Sequence, residues 1–138
     1  MRAILRPALA TALLLALPAS AFAQSLACNL PQKPMIEVEM MFGRNIGGHL
    51  GVTEKSWASF LAREVTPRFP DGLTVFDTTG QWRDTKTKAV VREPSKIVRI
   101  ITADAEAQGK IDAIAEAYKK QFRQDSVGIV SRPSCVSF

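Results

Sequence analysis

The sequence predicts an α+β fold, because its apolar residues recur with two different periods. Two segments show the spacing of amphipathic helices, and four shorter segments show the alternation or β-branched composition of strands. They follow the order strand, helix, strand, strand, helix, strand, which is typical of the ferredoxin-like βαββαβ plait. We therefore expect a four-stranded antiparallel sheet with two helices on one face.

The first strand and the first helix are predicted between Met35 and Thr66. In MIEVEMMFGR the residues alternate in polarity, which indicates a strand with one buried face. Thr53 stands where a helix N-cap belongs. The apolar stripe of the helix that follows consists of Trp57, Phe60, Leu61 and Val65. Pro67 restricts Thr66 to extended angles, so the helix should end there.

The next two strands are predicted as a hairpin. DGLTVFDTTGQWR indicates a turn and then a strand from Leu73 to Asp77, with Gly80 marking a bend or bulge. The polar run DTKTK forms the turn, and the β-branched run from Ile97 to Thr102 forms the third strand.

The second helix should begin after Asp104, which can cap it. Its apolar stripe consists of Ile111, Ile114, Ala115, Tyr118 and Phe122. The last strand is predicted in SVGIVSRPSCVSF. Because both helices lie on one face in such a plait, the other face of the sheet is left open.

Alternation along the two central strands predicts which side chains this open face carries. They are Glu37, Glu39 and Met41 of the first strand, and Ile97, Arg99 and Ile101 of the third. Apolar surface beside charges often marks a region that a partner or ligand covers.

The N-terminal segment, residues 1–23, has the features of a signal peptide. Two arginines precede a short apolar run that ends at Pro18, and Ala-Phe-Ala supplies small residues for cleavage between Ala23 and Gln24. The run is shorter than the roughly 20 residues that span a bilayer as a helix. We therefore expect a protein that is periplasmic or secreted.

The rest of the chain is predicted to form an extended leader, residues 24–34, and a single domain, residues 35–138. No later segment is apolar enough to suggest a transmembrane helix. The formal charge of the whole chain is +5, and the predicted signal peptide contributes two of its cations. This mild excess does not indicate a nucleic-acid-binding protein.

The two cysteines, Cys28 and Cys135, lie near the two ends of the predicted domain. In an oxidising compartment such a pair indicates a disulfide. The alternative is a lipidated Cys28, since Ser-Leu-Ala-Cys resembles a lipobox. Pro18 and the Ala-Phe-Ala site separate that sequence from the apolar run, which favours the disulfide.

Five ordered segments carry a resemblance to a known family. They are MFGRNIGG, EVTPRFPDGLTV, GQWR, REPSK and the terminal CVSF. With these segments the chain resembles a family of small exported bacterial proteins that is catalogued as a domain of unknown function. The resemblance covers about residues 35–138 and implies one compact exported domain. It implies no reaction, substrate or catalytic residue.

Three regions hold the candidate ligand-binding residues, which are Glu39, Arg44, Trp82, Arg92, Lys96 and Arg99. Arg44 belongs to the glycine-rich link GRNIGGH, where backbone N–H groups can hold an anion. The alternative is a flexible connection in which Arg44 is solvated or paired. His49 is the only histidine, so we expect no metal site. The link also lacks the motifs of a phosphate-binding loop and of a dinucleotide fold, so we expect no cofactor.

The second region is the predicted hairpin. Trp82 beside Arg92 and Lys96 suggests an electropositive pocket with an aromatic floor for a carboxylate or phosphate. The alternative is structural: Trp82 covers a sheet edge, Arg92 and Glu93 are solvated, and Pro94 keeps that edge from pairing.

The third region is the open face, where Glu39 and Arg99 lie on neighbouring strands. A buried Glu39 beside apolar groups could act as a general base. Alternatively, the two residues only form a cross-strand ion pair.

These observations favour a non-enzymatic binding or interaction module for a polar or anionic ligand, and they include the hypothesis of a homodimer through the open face. Two alternatives stay open. One is a cofactor-free enzyme with Glu39 as acid or base, and the other is a structural factor of the cell envelope.

Overall fold

The structure, a computed structural model, describes residues 27–138 and confirms the predicted ferredoxin-like plait. The predicted signal peptide lies outside the described residues. The elements in chain order are β1 (Lys33–Gly43), β2 (Asn45–Ile46), β3 (His49–Leu50), α1 (Glu54–Phe60), a π-helical turn (Leu61–Val65), β4 (Thr74–Arg83), β5 (Val90–Thr102), α2 (Ala107–Phe122) and β6 (Gly128–Val136). The main sheet has the order β4-β5-β1-β6, and every neighbouring pair is antiparallel.

The register of β1 and β5 determines which side chains enter the core. Val38 lies opposite Ile100, and Met40 lies opposite Val98. All four side chains are fully buried, as is Phe42. The alternation predicted for both strands is thus confirmed, because a shift of one residue would turn this whole set to the other face.

Both helices pack on the face that carries Phe42. Its ring centroid lies 5.2 Å from that of Trp57 on α1 and 4.7 Å from that of Tyr118 on α2. Phe60 and Tyr118 connect the two helices directly, with centroids 5.0 Å apart. Each such aromatic pair contributes about 0.5–1.5 kcal/mol beyond the burial of its area. The cluster therefore holds α1 and α2 against the same side of the sheet.

The start of α1 follows a local signal in the sequence, whereas Thr66 has helical angles (φ −55°, ψ −42°) rather than the extended ones predicted before Pro67. The side chain of Thr53 accepts a hydrogen bond from the backbone N–H of Ser56 at 3.1 Å, which confirms the predicted N-cap of α1. Asp104 accepts from the N–H of Glu106 at 2.8 Å in the turn before α2, but the N-cap of α2 is Glu106, so the predicted cap by Asp104 is wrong. Neither helix within residues 27–138 has the length and apolarity that crossing a bilayer requires.

The hairpin of β4 and β5 is longer than predicted. β5 begins at Val90 rather than at Ile97, and β4 continues to Arg83. Gly80 lies opposite Glu93 in an unbroken register, so the predicted bend or bulge at Gly80 is wrong. Pairing with a long neighbouring strand overrides the weak strand preference of a single glycine.

Pro94 ends the pairing of β1 with β5. Its carbonyl accepts the backbone N–H of Arg44 at 3.1 Å, but proline has no N–H to return to the Arg44 carbonyl. That carbonyl accepts instead from the N–H groups of Gly51 and Val52, both at 3.0 Å. The chain therefore leaves the sheet at Arg44 and turns into the β2–β3 hairpin.

A disulfide joins Cys28 to Cys135, with the two Cα atoms 5.5 Å apart. It ties the leader to β6, an edge strand that pairs only with β1 in the main sheet. The bridge spans 107 positions of the sequence. A cross-link between such distant residues restricts the unfolded chain strongly in the entropy model.

We predict that Cys28→Ser and Cys135→Ser each lower the free energy of unfolding by about 2–5 kcal/mol, because either change removes the cross-link. Guanidinium unfolding of the oxidised protein, with and without reductant, measures the loss. Reduction should destabilise the wild type and leave both variants unchanged. Equal stability of the oxidised and reduced wild type would contradict the prediction.

Candidate functional site

The open face of the sheet carries exposed apolar side chains around a group of charges. Met41, Phe76, Trp82 and Val130 face this side from β1, β4 and β6, each with 37 to 46% of its surface exposed. These apolar groups surround two carboxylates and two guanidinium groups near the centre of the face. The predicted composition of the face is therefore confirmed for the outward residues of β1 and β5.

Arg99 is the centre of this charged group. Its guanidinium donates to Glu39 at 3.0 and 2.6 Å, lies 3.1 Å from Glu37, and stacks 5.1 Å from the ring centroid of Phe76. Arg132 of β6 donates to both oxygens of Glu37 at 3.0 and 2.8 Å. Glu39 and Arg99 thus form the cross-strand ion pair that one interpretation of the sequence predicts.

Arg44 and Lys96 lie on the opposite side of the sheet and share one carboxylate. Arg44 donates to Glu54 at 2.6 Å and to the carbonyl of Val52 at 2.9 Å. Lys96 donates to the other oxygen of Glu54 at 2.9 Å and also to Asp77. The two cations are buried, with 6% and 4% of their surface exposed, whereas their carboxylate partners are exposed. They anchor the first residue of α1 to the sheet.

This cluster shifts the pKa values of its members. The hydrogen bond from Lys96 lowers the pKa of Glu54, and the bond from Arg44 adds to this against the opposing effect of burial. Burial lowers the pKa of Lys96, but its hydrogen bonds to Asp77 and Glu54 outweigh burial and raise it. Both shifts favour the charged forms, so the buried cations are already satisfied by groups of the protein.

Trp82 does not share a site with Arg92 and Lys96. Trp82 lies opposite Val91 on the open face, while Arg92 lies opposite Gln81 and points to the helix side. Arg92 is exposed there, and Lys96 is buried on the same side. Arg92 and Lys96 are one and five positions after Val91, and residues an odd number of positions apart in a strand face opposite ways. The predicted electropositive pocket around Trp82 is therefore wrong.

Trp82 instead borders a depression of about 630 Å³ at the end of the open face. The depression lies where β1 ends, between the β4–β5 hairpin, the β2–β3 hairpin and the segment after α2. Its lining consists of Met41, Phe42, Gly43, Asn45, Ile46, Gly47, Gly48, Gly80, Gln81, Trp82, Val91, Glu93, Ser95, Arg123, Gln124, Asp125, Ser126 and Gly128. We call this depression the glycine pocket.

Glycines from three strands form the floor of the glycine pocket. A Cβ atom at Gly43 would lie 2.5 Å from Oε1 of Glu93, and one at Gly128 would lie 2.9 Å from Cε of Met41. At Gly80 it would lie 3.2 Å from Oγ of Ser95. Side chains at these positions would fill the depression or displace its polar groups. The three glycines therefore keep the backbone of the sheet accessible.

Glu93 is the carboxylate closest to this floor. Its Oε2 accepts the backbone N–H of Asn45 at 3.2 Å. Among residues 27–138 it forms no salt bridge, unlike Glu37, Glu39 and Glu54. The structural interpretation of the hairpin predicts a solvated Glu93. Alternation backward from Ile97 would have placed it on the open face.

The walls of the glycine pocket are held by the last turn of α2. Tyr118 donates its hydroxyl hydrogen to the carbonyl of Gly43 at 2.8 Å, and burial raises the pKa of this hydroxyl. The side-chain amide of Gln124 donates to the carbonyl of Asn45 at 2.7 Å and to that of Phe122 at 3.3 Å. These bonds connect the β2–β3 hairpin to the end of the helix.

A second depression, of about 700 Å³, lies at the opposite end of the open face. Arg99 and Ile101 border it on the sheet, and Phe138 borders it from the chain end. Glu39 lines neither this depression nor the glycine pocket. His49 is exposed on β3, and the described part of the chain contains no group of three or more potential metal ligands.

Comparison with known families matches residues 37–138 to the family described as "Protein of unknown function (DUF3574)". The chain belongs to this family. The predicted resemblance to a family without an assigned function is therefore confirmed. No curated protein matches the chain in sequence.

Several solved structures are similar to this one. A phage SAM lyase in complex with S-methyl-5'-thioadenosine superposes with a TM-score of 0.58 and 15% identity, covering 86% of this chain and 97% of the lyase. The same kind of enzyme in its apo state gives 0.57 and 16%, with 83% and 97% covered. CutA from Synechococcus elongatus PCC7942 gives 0.50 and 10%, with 75% and 80% covered. At such low identity these likenesses establish the fold alone.

We predict that Glu54→Gln removes part of the acid sensitivity of the fold. The pKa of Glu54 is lowered below its ordinary value of 4.5, so its contribution to stability is present above that pH and is lost as the pH falls through the folded-state pKa. Glu54→Gln should therefore lower the melting temperature at neutral pH and converge with the wild type in acid.

Thermal unfolding followed by circular dichroism from pH 7 down to roughly pH 3 measures this difference. Glu64→Gln is the control, since Glu64 only pairs with Arg68 on the surface, at 2.9 Å. A constant gap between the Glu54→Gln variant and the wild type at every pH would show that Glu54 stabilises the fold without titrating.

Proposed function

We propose that this protein is a small, non-enzymatic binding module that holds a polar small molecule in the glycine pocket. The observation that carries the proposal is the floor of this pocket, where β4, β1 and β6 each place a glycine near one carboxylate of β5 that forms no salt bridge among the described residues. A sheet face that only contacts solvent does not require glycines grouped in this way. A ligand that approaches the backbone closely does require residues without side chains.

The polar groups around the floor support a polar ligand rather than an apolar one. Glu93 and Ser95 rise from β5, and Trp82 offers a half-exposed aromatic surface beside them. A few convergent polar groups next to an aromatic wall are typical of small-molecule sites. The anionic ligand considered from the sequence has less support, because Arg44 and Lys96 are buried elsewhere and already bind Glu54.

The geometry gives little support to an enzyme that uses Glu39 as acid or base. Its carboxylate is held by Arg99 and borders neither depression. A structural role in the envelope requires no ligand, whereas a binding module does. A screen for ligands therefore distinguishes the two functions.

We further propose that the chain is exported and cleaved between Ala23 and Gln24. The tripartite N-terminal sequence supports this, and so does the disulfide between Cys28 and Cys135, since such bridges persist in oxidising compartments. N-terminal sequencing of the protein recovered from the periplasm tests it. Recovery of a chain that still begins at Met1, or of a diacylglycerol adduct on Cys28, would exclude this maturation.

The proposed partner for the open face is a second copy of the chain. Exposed Met41, Phe76 and Val130 flank carboxylates and guanidinium groups, so the face offers both charge signs and apolar area to a copy of itself. Nucleic acid is not proposed as a partner, because this face carries as many carboxylates as cations.

We predict that the wild type self-associates in sedimentation equilibrium and that Val130→Lys abolishes this association. The substitution places a charge on the open face, opposite Glu39 in the register. Val90→Lys is the matched control, because Val90 is equally an exposed valine but lies on the other side of the sheet. A wild type that stays monomeric over a wide range of concentration would exclude the dimer.

We predict that Gly80→Val abolishes ligand binding at the glycine pocket while the protein stays folded. A valine suits a β-strand, and its Cβ at this position would meet Ser95 and enter the pocket. Thr78→Val is the matched control, since Thr78 lies on the same strand and face but does not line the pocket.

The measurement is a thermal-shift screen of the oxidised protein against a library of polar metabolites, followed by titration calorimetry of each hit. We expect a hit to bind the wild type and Thr78→Val alike, and to bind Gly80→Val about ten-fold more weakly or worse. If no compound stabilises the wild type, or if hits bind Gly80→Val unchanged, the proposed pocket is wrong.

A further inference from the structure

We infer that the ligand of the glycine pocket is an organic cation, bound through an ammonium group between Glu93 and Trp82. This inference rests on the proposed function and adds the chemical class of the ligand. It is carried by the arrangement of three residues on two paired strands: Glu93 on β5, and Gly80 and Trp82 on β4.

Glu93 is the first part of the argument. On the same face, Glu37 and Glu39 are each bound by an arginine at 2.6 to 3.1 Å. Glu93 is also partly buried, yet its one hydrogen-bond donor within the described residues is the backbone N–H of Asn45. A partly buried carboxylate without a cation loses hydration that nothing of opposite charge replaces. A cationic ligand would supply that missing partner.

Trp82 is the second part. It lies two positions after Gly80, which faces Glu93 directly, so Trp82 is diagonal to Glu93 on the same face. Diagonal neighbours in antiparallel strands are about 7–8 Å apart, which leaves room for one small group between them. An ammonium attracted by an indole ring on one side and by a carboxylate on the other gains from both.

Gly80 provides the space for that group. It has no side chain opposite Glu93, whereas a Cβ atom there would contact Ser95 and approach Cγ of Glu93 to 3.9 Å. Gly80 therefore leaves space on β4 beside the methylene stem of Glu93, whose carboxylate lies toward Gly43.

The charges around the glycine pocket agree with a cation. Two carboxylates, Glu93 and Asp125, and one guanidinium, Arg123, line it, although the whole chain carries an excess of positive charge. A depression that is locally negative on a positive protein concentrates small cations and repels carboxylates and phosphates.

The test compares two probes of nearly equal shape. Choline carries a quaternary ammonium, and 3,3-dimethylbutan-1-ol replaces its nitrogen by carbon and has no charge. Each is titrated into the ¹⁵N-labelled, oxidised protein, and spectra record the indole N–H of Trp82 and the backbone N–H of Asn45. The buried Trp57, with 4% of its surface exposed, is an internal control for the core.

We expect choline to shift the Trp82 and Asn45 signals to saturation, with Trp57 unchanged, and to bind about ten-fold more tightly than the alcohol. Glu93→Gln should remove this preference, and Trp82→Leu should weaken choline binding independently. Glu116→Gln removes a carboxylate on the exposed side of α2 and should change nothing.

Equal affinities for choline and the alcohol would overturn the inference, and so would an unchanged preference in Glu93→Gln. In either case, if neither probe binds Gly80→Val, the glycine pocket is still established as the binding site. If neither probe shifts Trp82, the cation is the wrong class, and the library screen above then decides on the pocket separately.

Discussion

Val38 and Met40 of β1 lie beside Ile100 and Val98 of β5, and all four enter the core under the aromatic cluster. This one register also determines the opposite side of the sheet. With those residues inward, Glu39 and Arg99 must meet on the outward side. A slip of β5 by one residue would bury Arg99 away from Glu39 and expose Val98 and Ile100, so the register is strongly specified.

The end of that same ladder determines where the glycine pocket lies. Pro94 cannot return a hydrogen bond to Arg44, so β1 and β5 part there. Beyond that point Glu93 has β4 on one side and no side chain of β1 on the other. Gly43, the last residue of β1, then leaves space for the Glu93 carboxylate. The glycine pocket thus begins where the missing N–H of Pro94 ends the pairing of β1 with β5.

Most of the fold could be predicted from periodicity, since Thr53, the stripe of α1 and the alternation of β1 are local signals with one interpretation. The length of the β4–β5 hairpin could not, because Gly80 and Pro94 look like interruptions unless the partner strand is known. The candidate site was harder still. Arg92 and Lys96 belong to the same hairpin as Trp82, but the alternation of side chains along β5 places them on the opposite face.

Other side-chain contacts could not be predicted from local sequence patterns. Glu54 and Lys96 are 42 positions apart and meet only because α1 begins above the middle of β5. The same holds for Glu93 and Asn45, which are 48 positions apart. Sequence patterns place a charge on a face of an element, whereas its partner depends on how the elements are arranged in space.

Gln124 has a consequence for the entrance of the glycine pocket. Its amide donates to the carbonyls of Asn45 and Phe122 and so links the β2–β3 hairpin to the last turn of α2. A wider entrance on that side would cost the hydrogen bond between Gln124 and Asn45. The tip of the hairpin lies beyond this hydrogen bond, and its Gly47 and Gly48 both have positive φ, which glycine adopts at little cost.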